Sequence, residues 1–189
     1  MKKVRSANLL IAAVALSVVG ISAPLAGAST AHNVSAHAKT KTLAFSCSYK
    51  GNVKILFASS GATGVMIGAG KGTTLGQGTL NATGATITFS TSGQTDPVKG
   101  SATLKGPGGS ITIVSTTALA STSASVAPTS AAPDPVTVFG HAKVTKGTGK
   151  FAGATGTLTI SASFQVTSTT GSQTQKFSAT LSGSLKIKA

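Results

Sequence analysis

Apolar and polar residues alternate along most of the chain after residue 41. The clearest runs are TLTISASFQV at 157–166 and KFSATLSGSLKI at 176–187. Alternation places successive side chains on opposite faces, which is the period of a β-strand with one buried and one wet face. Strands of this half-exposed kind belong to antiparallel sheets. The same period recurs in shorter segments: NVKILFA, GATITFS, SITIV and PVTVFGHAKV.

Glycine-rich segments separate these runs, among them SSGATG, KGPGG and TTGSQ. No segment after residue 28 shows the 3.6-residue period of an amphipathic helix. Short strands at this spacing, joined by turns, are typical of all-β sandwiches and barrels. The pattern therefore predicts an all-β protein with a single antiparallel barrel of about eight strands over 42–189. The alternative that the pattern leaves open is a β-sandwich.

One segment interrupts the alternation. Residues 115–135, STTALASTSASVAPTSAAPDP, are rich in Ala, Ser, Thr and Pro, a composition typical of a flexible surface loop or linker. Each part of the chain on either side would be marginal as a separate domain. We therefore expect one barrel domain with a low-complexity loop near 115–135.

The first 28 residues have the layout of a secretory signal peptide. A basic start, MKKVR, precedes the apolar run LLIAAVALSVVGI and the small-residue site AGA, which is the order that signal peptidases read. This predicts a signal peptide at 1–28, a flexible lead-in at 29–41 and a protein that is secreted, extracellular or cell-wall associated. Asn33 and Asn81 begin glycosylation sequons that matter only in a host that glycosylates exported proteins.

Charge is strongly one-sided in the part of the chain that follows residue 28. Thirteen lysines stand against two aspartates, which gives a net charge of +11 and favours polyanionic neighbours such as an anionic cell-envelope polymer. No arginine is present there, and base reading relies on the bidentate arginine fork. We therefore expect no sequence-specific binding to nucleic acid.

Few side chains could carry catalysis. Cys47 is the only cysteine, and its alternation with Phe45 and Tyr49 points the thiol inward, where cysteine behaves as a small hydrophobe. Asp96 and Asp134 each precede a proline and are predicted to lie in turn or linker segments. His141 falls on the polar phase of its strand, where a solvated side chain is expected.

The segment TKGTGKFAGATGTLTIS, residues 145–161, admits two interpretations. Its glycines fit a loose dinucleotide-binding pattern, but that mechanism needs a helix N-terminus, and the segment continues as a strand. We interpret it as a structural turn in which Gly147 and Gly149 adopt positive φ values. Phe151 then plugs the end of the core, and Gly153 and Gly156 permit a bend as the next strand begins.

The same segment resembles a family signature. VTKGTGKFAGATGTLTI, residues 144–160, is similar to the G-G-T-G-[KR]-F-x-x-A-x-G motif of the allene oxide cyclase–dirigent superfamily, and especially of bacterial proteins with that barrel. The resemblance implies an eight-stranded antiparallel barrel with an apolar cavity, often assembled as a homo-oligomer.

Three functions remain open at this point. The sequence favours a secreted, non-catalytic barrel that binds a small apolar ligand or a cell-envelope component. The first alternative is a dirigent- or cyclase-like enzyme that steers an intermediate in the cavity, for which Tyr49 and Cys47 are the inward-facing candidates. The second is a basic structural or adhesive cell-wall protein. No residue pattern predicts a cofactor or a metal site.

Overall fold

A computed structural model describes residues 39–86, 94–122 and 127–189 of this protein, and about four-fifths of these residues lie in strands. The signal peptide and most of the lead-in that the sequence predicts lie outside the described residues. The strands are β1 Thr40–Ala58, β2 Gly61–Gly72, β3 Gly76–Thr86, β4 Thr95–Gly106, β5 Gly109–Ser115, β6 Ala118–Thr122, β7 Asp134–Gly147, β8 Thr155–Val166 and β9 Gly171–Lys188. The helix in these ranges, a 3-10 turn at Gly149–Phe151, is not long and apolar enough to cross a membrane.

The strands form a closed antiparallel barrel in which each strand pairs with the next along the chain, except that β5 and β6 do not pair with each other. The ring closes where β9 pairs with β1 along nearly its whole length, from Thr40 opposite Lys188 to Phe57 opposite Gly171. β5 and β6 share one position in the ring, since both pair with β4 and β7. The all-β barrel predicted by the alternation is therefore confirmed, with eight strand positions.

A bulge divides β5 from β6. The backbone N–H groups of Thr116 and Thr117 both donate to the carbonyl oxygen of His141, at 2.9 and 3.4 Å, so two residues on one strand oppose one on its partner. The pairing register on both neighbouring strands shifts by one residue across this bulge. Because of this shift, side chains still point into the barrel on both sides of the bulge, as the buried Ile113 of β5 and Ala118 of β6 show.

The register fixes the width of the barrel. Following directly paired residues once around the ring from Lys54 leads back to Ala44, a stagger of ten residues on β1. A stagger of this kind tilts the strands by about 40° to the barrel axis, and an eight-stranded barrel so built has room inside for side chains or one small ligand.

The two ends of the barrel are packed differently. We call the end at which β1 begins and β9 ends the plug end, and the opposite end the cavity end. Large buried side chains fill the plug end, including Phe45, Leu75, Phe151, Leu158 and Leu185. They come from four different parts of the chain, so the plug end holds the dense part of the core.

Glycines on β2 make room for bulky neighbours at the plug end. A Cβ atom on Gly70 would meet the Ser48 carbonyl oxygen and would lie 2.7 Å from Cδ1 of Tyr49, and one on Gly72 would meet the sulfur of Cys47. Real Cβ atoms do not approach so closely in a packed interior. The glycines therefore allow the side chains of β1 to lie flat against the backbone of β2.

Two of the predicted boundaries are wrong. Residues 115–135 are not one continuous loop, because 118–122 form β6 and β7 begins at Asp134. Ala118, Ala120 and Thr122 are buried while the residues between them are half-buried, and this alternation of small side chains carries too little hydrophobicity to stand out in the sequence. The barrel also begins at Thr40, within the segment predicted as a flexible lead-in.

Candidate ligand-binding cavity

A cavity of about 170 Å³ occupies the barrel interior from its middle toward the cavity end. Its walls come from every strand of the ring, and most of the side chains that face it are aliphatic. The exceptions are Phe164, the thioether of Met66 and the hydroxyls of Ser115 and Thr86. The inward residues that line it are Val53, Ile55, Ala62, Met66, Leu80, Ala82, Val98, Ala102, Ile113, Ala118, Ala120, Val136, Val138, Ala142, Ile160, Ala162, Phe164, Ala179 and Leu181.

Small residues placed opposite one another create this space. Ala82 is paired with Ala102, and Gly84 with Gly100, on β3 and β4. On the far wall, Ala162 of β8 is paired with Ala179 of β9. Each pair puts either two methyl groups or no side chain at all where the plug end has leucine or phenylalanine, so the interior is left unfilled at this level.

The exposure of the inward residues supports this description. Met66, Ala82, Val98, Ala162 and Phe164 all point into the barrel, yet each is only half-buried. Their remaining accessible surface faces the space that they line. Inward residues at the plug end, by contrast, are almost fully buried.

The cavity offers apolar contact with few polar groups to bind. The hydroxyl of Ser115, which borders it, donates to the carbonyl of Val98 at 3.1 Å and accepts from the N–H of Gly100 at 2.8 Å. The Oγ1 atom of Thr86 accepts from the N–H of Ala62 at 3.3 Å. Because these hydroxyls are already bonded to backbone, a ligand here would be held by shape and dispersion.

Tyr49 and Cys47, the candidates named from the sequence, lie inside the barrel but do not line the cavity. Both are almost completely buried among the side chains of the plug end. Burial raises the pKa of the Cys47 thiol, and a hydrogen bond with Tyr49 opposes that effect. Burial also raises the pKa of the Tyr49 hydroxyl, with smaller contributions of the same sign from the charge of Cys47 and the hydrogen bond to it. Both groups are therefore held in their neutral forms at neutral pH, as packing residues are.

The two aspartates contradict the sequence prediction. Asp96 and Asp134 were expected in turns, but both are buried near the first residues of β4 and β7. The prolines that follow them, Pro97 and Pro135, are exposed, and proline is tolerated near the start of a strand. The turn signal from each proline was therefore misleading.

His141 behaves as predicted, since its side chain is exposed on the outer face of β7. Asp96 is buried, so these two residues do not share a site. Within residues 39–86, 94–122 and 127–189, no three side chains among His, Cys, Asp and Glu lie close enough together to hold a metal ion. Asn81 is exposed on β3.

The glycine-rich segment at 145–161 is a turn that leads into a strand, as predicted. Phe151 is fully buried and plugs the barrel end, and Lys150 places its Nζ atom 5.1 Å from the centre of the Phe151 ring. Gly149 has a positive φ of 59°. Gly147 does not, and the prediction was wrong there: it must be glycine because a Cβ would meet the carbonyl oxygen of Phe151. Gly153 and Gly156 both have positive φ on either side of the start of β8.

Comparison with protein-family models, with curated proteins and with solved structures gives no match for this chain.

Sequence reasoning placed many of the lining residues on inward faces but missed the small residues of β3 and β4 that leave the cavity open. The signal was present as small residues at every second position of β3 and β4, in GTLNATGAT and VKGSATLKG. Alanine and glycine at inward positions contribute little to a hydrophobic pattern. The alternation thus identified inward residues on β1 and β7–β9, small ones such as Ala162 and Ala179 included, and passed over the alanines and glycines of β3 and β4.

Proposed function

We propose that this protein is an exported, non-catalytic β-barrel that binds one small apolar molecule in its interior. The observation that carries the proposal is the 170 Å³ cavity with aliphatic walls and bonded hydroxyls. Largely apolar, preformed concavities are the usual sites of small-molecule binding, and the mouths of β-barrels are one of their preferred places.

The size of the cavity sets the size of the ligand. An apolar protein cavity of about 150 Å³ stays dry and takes up benzene, so a space of 170 Å³ suits a compact hydrocarbon or a single aromatic ring. A ligand with a charged group is disfavoured, because burying an unpaired charge is costly. No ionisable side chain lines the cavity in the described part of the chain.

The same lining favours binding over a dirigent- or cyclase-like reaction. General acid–base catalysis needs a titratable group within hydrogen-bond reach of the reacting atoms. Tyr49 and Cys47 lie outside the lining and are held neutral by burial. Membership of the allene oxide cyclase–dirigent superfamily and export through the signal peptide stay predictions that rest on the sequence.

Binding is tested by titrating the purified protein with benzene and with toluene while amide chemical shifts are followed. We expect saturable shifts at amides of the cavity wall, with those of Ala82 and Ala102 among the largest. Native mass spectrometry of freshly purified protein should in addition detect any apolar molecule that is carried along.

A matched pair of substitutions localises the binding. Ala102→Leu places three more carbon atoms in the cavity and should abolish the saturable shifts. Ala44→Leu makes the same change at an exposed position on the outer face of β1 and should leave them intact. Shifts that survive Ala102→Leu, or that fail to saturate in the unmodified protein, would contradict the proposal.

A further inference from the structure

The lysines of the barrel are concentrated at the plug end. Thirteen lysines lie in the described residues, and eight of them stand within three residues of a strand terminus at this end or in the 3-10 turn beside it. All eight are exposed. We call them the lysine rim: Lys39, Lys41, Lys71, Lys105, Lys146, Lys150, Lys186 and Lys188.

The cavity end has the opposite character. In the described part of the chain, no lysine lies within three residues of a strand terminus at that end. Both aspartates lie there, Asp96 as the second residue of β4 and Asp134 as the first of β7. The charges of the barrel are therefore separated along its axis, and the chain has no glutamate that could offset the rim.

The rim encircles the barrel instead of following one side of it. Its members come from β1, β2, β4, β7 and β9. A linear polyanion would be served by a stripe of lysines along one face. β1 and β9 extend past β2 at this end, since residues 40–46 pair with β9 but not with β2. An extended anionic surface set against this end therefore meets the lysines of β1 and β9 first and the others at greater depth.

The lysine rim also lacks the large apolar residues that would insert into a membrane and the arginines that would hold a phosphate in one fixed geometry. The large hydrophobic residues that are exposed in the described ranges, Leu56, Val65, Ile67, Val114 and Phe139, all lie on strands away from the rim termini. Lysine is a hydrated point charge on a flexible stem, and it lacks the planar fork with which arginine fixes one phosphate. These properties suit laterally mobile phosphate headgroups.

From this arrangement we infer that the lysine rim docks the barrel end-on against a bilayer rich in anionic phospholipid, with the cavity end directed away from the membrane. Each lysine held near such a surface strengthens the binding by about fivefold. The attraction extends only about 10 Å at moderate ionic strength. The binding is thus reversible, depends on salt and needs no apolar anchor in the barrel.

The test measures co-sedimentation of the full chain with vesicles of phosphatidylcholine, with and without phosphatidylglycerol. We expect binding only to the anionic vesicles, and we expect it to be lost when salt is raised from about 0.05 M to about 0.5 M. Binding to both kinds of vesicle, or binding that ignores salt, would overturn the inference.

Two fourfold variants with the same net charge separate the rim from charge in general. The rim variant carries Lys41→Gln, Lys105→Gln, Lys186→Gln and Lys188→Gln. The control variant carries Lys50→Gln, Lys54→Gln, Lys99→Gln and Lys176→Gln, four exposed lysines away from the rim. Residues 1–28 are identical in the two variants, so any affinity of that segment for lipid cancels in the comparison.

The rim variant should partition onto anionic vesicles at least about tenfold more weakly than the unmodified protein, while the control changes by less than about threefold. Equal losses in the two variants would show that net charge alone governs binding and would overturn the inference. Circular dichroism confirms that each variant retains its strand content.

Two further measurements test how the barrel is oriented on the vesicle and whether its partner is a bilayer or a linear polyanion. In a Cys47→Ser background, a headgroup quencher should quench a dye on Thr155→Cys at the plug end more than one on Ser172→Cys at the cavity end. Equal quenching would refute end-on docking. If soluble polyphosphate binds the protein while anionic vesicles do not, the partner is a linear polyanion and the bilayer assignment fails.

Discussion

Filling the cavity with a larger side chain should stabilise the barrel, although the same change elsewhere in the interior should destabilise it. Ala162 on β8 points into the cavity and is half-buried. Ala154, just before β8, is buried in the core cluster and does not line the cavity. Ala162→Leu and Ala154→Leu are therefore the same chemical change in an unfilled and in a filled environment.

The expected changes in the free energy of unfolding have opposite signs at the two positions. Leucine adds three carbon atoms, and at about 0.8 kcal/mol for each buried CH₂ the gain at Ala162 is up to about 2 kcal/mol in the free energy of unfolding. At Ala154 the added atoms have no space to enter, and overpacking of this kind costs about 1–3 kcal/mol. The two variants should thus differ by several kcal/mol although their compositions are identical.

Urea denaturation followed by circular dichroism measures both values, with the slope of the unfolding free energy against urea checked for constancy between variants. Thermal midpoints should move by about 2–4 °C for each kcal/mol in a domain of this size. If Ala162→Leu destabilises the protein as much as Ala154→Leu does, the space seen in the barrel is filled in solution and the cavity argument fails.

Two other substitutions and a pH series test the packing of the plug end. Gly70→Ala should destabilise the protein by more than about 2 kcal/mol, because the new Cβ would lie 2.7 Å from the Tyr49 ring. Gly64→Ala should be neutral or stabilising by up to about 1 kcal/mol, because the nearest neighbour of its Cβ would be Val53 at 3.8 Å. Equal urea midpoints for the two variants would contradict this. The raised pKa values of Cys47 and Tyr49 mean that the folded state keeps protons which the unfolded state loses above about pH 8.5 and pH 10. Stability should therefore be full at neutral pH and fall as the solution becomes more alkaline. Tyr49→Phe should flatten the part of that fall above about pH 10, and an unchanged profile in the variant would show that other groups cause it.

The overall architecture could be predicted because it depends on the pattern of apolar and polar residues, which can be read directly from the sequence. Period-two alternation in β8 and β9 identifies strands with one buried face, and the absence of a helical period excludes other classes. Phe151 could be assigned to the core because it is the one large apolar residue in its turn. Short connections between neighbouring strands favour antiparallel pairing, but the alternation did not give the strand order and left a β-sandwich open as the alternative to a closed barrel.

The position of the cavity in the barrel and the distribution of charge along it could not be predicted, for a different physical reason. Both depend on which residues of distant strands come to lie at the same level of the barrel, and that is set by the ten-residue stagger of the ring. Nothing in the local sequence around Ala82 and Ala162 shows that the strand register places them on facing walls of the barrel. Lys41, Lys105 and Lys188 are likewise far apart in the chain, and only the alternating directions of β1, β4 and β9 bring them to one end.

The cost of the cavity argues that the empty space is kept for a purpose. For an enclosed cavity the cost is about 24 cal/mol for each Å³, so a partly open space of 170 Å³ lowers stability by at most about 4 kcal/mol, against a total of about 5–15 kcal/mol for a typical domain. Single changes from alanine to a larger aliphatic residue at several positions in the wall would recover part of that loss. The plug end, built from the same strands, shows that the fold accommodates dense packing. The unfilled space at the other end is therefore not a limit of the fold, and it is the feature on which the proposed ligand site rests.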